Sequence, residues 1–65
     1  MAEGTISKTT DRGFGFIRTK SGEELFFHMS SVEGTTFDML QAGQRVAYEI
    51  AMSSKGPRAE AVRVL

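Results

Sequence analysis

The sequence predicts an all-β domain, a small barrel of five short antiparallel strands. Glycine recurs at positions 4, 13, 15, 22, 34, 43 and 56, too often for a long uninterrupted helix. Apolar residues alternate with polar ones along several short segments, the period of a half-buried strand. A chain of 65 residues cannot leave the edges of so many short strands bare, and closing the sheet on itself removes them. With 40% hydrophobic and 25% charged residues the composition is globular, and the expected organisation is a single domain over residues 1–65.

Taken in order, Thr5–Thr9 is the first expected strand, followed by Gly13–Thr19, Glu24–Met29, Arg45–Met52 and Glu60–Leu65, with an irregular segment over Ser30–Gln44. The second and third strands set their own register. Lys20, Ser21 and Gly22 form a three-residue loop whose last position suits a left-handed residue, and Gly22 stands there. Arg18 then lies opposite Glu24, Phe16 opposite Phe26 and Phe14 opposite His28, all on one face. A two-residue loop would shift the register by one and split that set across both faces.

The opposite face carries Gly13, Gly15, Ile17, Leu25, Phe27 and Met29, so both faces are apolar and a closed barrel can bury only one. Leaving Ile17, Leu25, Phe27 and Met29 in water forfeits about 1.5–3 kcal/mol each. The alternative would bury a His and the charged Arg18 and Glu24. The aliphatic face therefore goes inward, with Gly13 and Gly15 where the curved interior has no room for a side chain. Val46, Tyr48 and Ile50 alternate and are expected on the core side of the fourth strand.

Phe14, Phe16 and Phe26, with His28, are thereby left outside as an exposed aromatic patch. Flat rings flanked by Arg12, Arg18 and Lys20 suit stacking of unpaired bases while cations meet phosphates. Eight basic and eight acidic residues give no net charge, so local placement of groups must carry such binding.

Other functions are disfavoured. Without Cys there is no disulfide and no thiolate ligand, and a single His excludes His-cluster metal sites and most His-dependent triads. No enzyme activity, metal or cofactor is expected. Apolar runs reach only two or three residues, so no membrane span is expected, and Met1-Ala2-Glu3-Gly4 has neither the basic nor the apolar stretch of a secretion signal.

Residues 12–17, Arg-Gly-Phe-Gly-Phe-Ile, match the first ribonucleoprotein motif, and residues 25–29, Leu-Phe-Phe-His-Met, resemble the second motif of the cold-shock family. Their order along the chain is that of cold-shock proteins and not of RNA-recognition motifs. Gly4-Thr5-Ile6, the Leu-x-x-Gly-Gln-x-Val run ending at Val46, and Lys55-Gly56-Pro57 extend the similarity over nearly the whole chain. The resemblance implies an oligonucleotide-binding (OB) barrel that binds single-stranded RNA and DNA and melts RNA secondary structure, cytoplasmic and monomeric. By position it implies base stacking on Phe14, Phe16, Phe26, His28 and Phe37, basic contacts from Arg12 and Lys55, and a hydrogen-bond acceptor at Glu24.

Two departures stand in the first strand, where Lys8 and Thr9 replace the family's Trp and Phe. Lys8 can offer one phosphate contact in their place, and the expected site narrows to about three or four nucleotides. From the residues alone, Glu24 can instead pair with Arg18, and Phe37 can cap a barrel end. A protein-interaction module on the same barrel, with weak or lost nucleic-acid binding, is the second reading.

Overall fold

In the computed structural model, which describes residues 2–65, the Lys20–Gly22 turn forms as its residues require. The Thr19 N–H donates to the Glu23 carbonyl at 2.8 Å, the Gly22 N–H donates to the Thr19 carbonyl at 3.0 Å, and Gly22 sits at φ 92°. This turn joins β2 (Phe14–Thr19) to β3 (Glu24–His28), paired as Phe14↔His28, Phe16↔Phe26 and Arg18↔Glu24. The register is the expected one.

The other strands are β1 (Ala2–Thr9), β4 (Arg45–Ser53) and β5 (Gly56–Val64), with 3-10 turns at Met29–Ser31 and Phe37–Met39 in the long connection. β1 starts earlier than expected because Ala2–Thr5 pairs with Arg45–Tyr48 of β4. β5 starts at Gly56, not Glu60, because a tight turn pairs Ser53 with Gly56 and Met52 with Pro57, with the Ser53 hydroxyl donating to the Gly56 carbonyl at 2.7 Å. The Gly-Pro pair masks this stretch of strand in the sequence.

The strands close in the order β1-β2-β3-β5-β4. Every pair is antiparallel except β3–β5, which is parallel at Phe26↔Arg58. The expected five-strand barrel forms, with one parallel seam among its otherwise antiparallel pairs. The reason is parity, since strand direction cannot alternate all the way round a closed ring of five.

Ile6, Ile17, Leu25, Phe27, Leu40, Val46, Tyr48, Ala59 and Val62 fill the interior. Ile17 and Phe27 have no exposed surface and Leu25 has 6%, so the aliphatic face of the hairpin is the buried one. Gly15 is where β1 and the Phe27 ring come too close for any side chain.

Two expected core residues are outside. Met29 is 53% exposed, because β3 ends at His28 and Met29 opens a 3-10 turn, which breaks the alternation; its sulfur folds back over Gly13. Ile50 is 58% exposed. Among the described residues the β1–β4 ladder ends at Ala2↔Tyr48, two positions short of it, and a register shift between Ala47 and Glu49 buries Val46, Ala47 and Tyr48 in succession.

Across from that shift, Ala61 adopts φ 52°, in the left-handed region that disfavours a Cβ by about 1–2 kcal/mol. Glycine relieves this strain but loses about 0.5–1 kcal/mol through unfolded-chain entropy. The expected result for Ala61→Gly is a gain of up to about 1 kcal/mol, read as a melting temperature raised by a few degrees in thermal unfolding followed by circular dichroism. An unchanged or lowered melting temperature contradicts it.

Candidate nucleic-acid interface

Alternation along β2 and β3 places Phe14, Phe16 and Phe26 on the outer face, and none of them belongs to the core cluster. Phe14 and Phe26 lie 5.5 Å apart with planes 30° apart, and Phe16 stands edge-on to both at 6.0 and 6.2 Å. Contact among the rings leaves Phe14 and Phe16 half-buried, while Phe26 is the most open at 37%. Aromatic pairs of this kind contribute about 0.5–1.5 kcal/mol each, so the patch is ordered before any ligand arrives.

His28, opposite Phe14, is exposed but fixed. Its Nδ1 accepts the Ser30 backbone N–H at 3.2 Å and lies 2.9 Å from the Ser30 hydroxyl, capping the first 3-10 turn. With Nδ1 accepting, the neutral ring carries its proton on Nε2, the nitrogen left for an outside acceptor.

A bulge between Ile6 and Lys8 brings two consecutive β1 residues to the same outer patch. The Lys8 ammonium lies 5.1 Å from the centre of the Phe16 ring, a cation–π contact. The Ser7 hydroxyl donates to Glu24 Oε2 at 2.7 Å, and Arg18 Nη2 reaches the same oxygen at 3.4 Å. The Ser7 hydrogen bond is the largest influence on the Glu24 carboxyl and, with Arg18 and Lys8, holds it below its ordinary value despite an opposing desolvation. Glu24 is thus a charged, acceptor-only group at neutral pH, and it also makes the cross-strand pair with Arg18.

Lys55 lies in the β4–β5 turn and shares with Phe26 a groove whose other walls are Ser53, Ser54, Pro57 and Arg58. The parallel seam sets Arg58 directly opposite Phe26. No local pattern could have placed it there, because the pairing joins segments far apart in the chain.

Arg12 and Phe37 are elsewhere. They line a separate cleft at one end of the barrel with Met29 and Asp38. Phe37 is half-buried against the core, its ring 5.9 Å from that of Phe27, so it caps the barrel end. The site residues read from sequence therefore fall into two groups: Lys8, Phe14, Phe16, Glu24, Phe26, His28 and Lys55 around the hairpin face, and Arg12 with Phe37 at the barrel end.

Among the described residues no group of three His, Cys, Asp or Glu side chains could hold a metal ion, and no helix is long and apolar enough to cross a membrane.

Residues 2–65 match the family described as the 'Cold-shock' DNA-binding domain. The chain is 41% identical over 66 residues to the cold shock-like protein CspLB of Listeria monocytogenes, covering 100% of both. It is 43% identical over 63 residues to the major cold shock protein CspA of Pseudomonas aeruginosa, covering 95% of this chain and 91% of that one. Among solved structures, Drosophila Unr CSD456 superposes with a TM-score of 0.82 at 26% identity, over 98% of this chain and 26% of that one. A closed five-strand barrel, two ribonucleoprotein-like motifs on one hairpin and near full-length similarity to these proteins place the chain in the cold-shock DNA-binding domain family.

Proposed function

We propose that this protein binds single-stranded RNA and DNA by stacking unpaired bases on Phe14, Phe16, Phe26 and His28, and that it acts as a cytoplasmic, monomeric RNA chaperone. The observation that supports this most is the cluster of three touching phenyl rings outside the core, on a rigid hairpin, ringed by Lys8, Lys55 and the acceptor Glu24. No bond is made or broken. A base stacked on these rings cannot also pair, so single strands are stabilised by mass action. Arg12 and Phe37 supply a second, smaller station at the barrel end.

The test is a titration of the protein with a short deoxythymidine oligomer, followed by NMR. Amide shifts are expected on β2, β3 and the Ser53–Arg58 turn, with a salt dependence of about −0.7 per phosphate for two to four phosphates. No shifts with any oligomer, together with a nuclease-resistant protein partner in pull-downs, would replace this reading by the protein-interaction module.

A further inference from the structure

We propose that Arg58 is a phosphate-contacting residue of this face and that Glu60 restrains it, so that the Arg58–Glu60 pair sets the affinity and salt sensitivity of binding. The inference rests on the nucleic-acid reading above. Arg58 is the residue of β5 in register with Phe26, the most open ring of the patch, and it walls the same groove as Lys55. A strand whose base rests on Phe26 passes its backbone between these two cations.

Arg58 is already engaged. Its Nε and Nη2 donate to Glu60 Oε2 at 3.0 and 2.7 Å, with the two side chains 43% and 41% exposed. A guanidinium carries five N–H donors, and Glu60 uses two of them. The remaining edge is free to take a phosphate oxygen, while the carboxylate beside it repels the same phosphate. Glu60 thus acts in two ways: it orients the guanidinium at the groove and cancels part of its charge. A pair this exposed contributes little to folding, so removing either partner leaves the barrel intact.

Binding of a fluorescein-labelled deoxythymidine oligomer to the wild type, Glu60→Gln, Arg58→Gln and Phe26→Ala proteins tests this by anisotropy over a range of salt. Glu60→Gln is expected to tighten binding about threefold at low salt. Arg58→Gln is expected to weaken it about threefold and to make the salt slope shallower by about 0.7, the value of one lost phosphate. If both charge variants bind as the wild type does, with the same slope, while Phe26→Ala binds far more weakly, the inference is overturned and the reading of the face stands. If the wild type itself does not bind the oligomer, the reading falls and the inference with it.

Discussion

Replacing Phe16 and Phe26 together by Ala is expected to weaken binding of a labelled deoxythymidine oligomer by at least about thirtyfold. Each stacking position contributes about 1–3 kcal/mol by alanine substitution, and about 1.4 kcal/mol is a factor of ten. Both rings lie outside the core, so the interior packing of Ile17, Leu25 and Phe27 survives the change. The pair of substitutions does remove the three ring–ring contacts of the outer patch, and some stability goes with them. Anisotropy is therefore measured well below the variant's melting temperature, established first by circular dichroism. A folded double variant that binds within threefold of the wild type would show that bases are held elsewhere.

Gly15→Ala is the second large effect, this time on stability. A Cβ at this position would lie 2.7 Å from the Lys8 carbonyl oxygen and 2.9 Å from two atoms of the Phe27 ring. Neither neighbour can yield. The first is main chain in the strand beside it, and the second has no exposed surface and is enclosed by the core. Overpacking of this kind destabilises by about 1–3 kcal/mol. A domain this small has about 3–10 kcal/mol in all, and each kcal/mol moves its melting temperature by about 4–8 °C. A fall of about 5–20 °C is expected in thermal unfolding. A shift under about 2 °C would mean that β1 and β2 separate easily at this point.

The face and register of the hairpin could be read from sequence because both depend on short-range facts. A three-residue loop ending in Gly22 sets which residues oppose each other, and the cost of leaving Ile17, Leu25 and Phe27 in water decides the inner side. What could not be read depends on geometry beyond a local window. Met29 follows the alternation on paper but falls after β3 has turned into a 3-10 segment. Ile50 keeps the right period and still lies two positions past Tyr48, where the β1–β4 ladder ends among the described residues. Ser7 and Lys8 arrive on the same face only because a bulge interrupts β1. Arg58 joins the aromatic patch only because the barrel closes where it does.

The parallel seam also bears on how the chain reaches this structure. β1, β2 and β3 follow one another as a meander, and β4 and β5 form a hairpin, so each half closes through short turns. Phe26 and Arg58 meet only when the halves dock, across a long intervening stretch that includes the whole Ser30–Gln44 connection. Such distant closure exacts its entropy before its contacts repay it, so docking of the halves, and not formation of the hairpin, is the step expected to govern the folding rate.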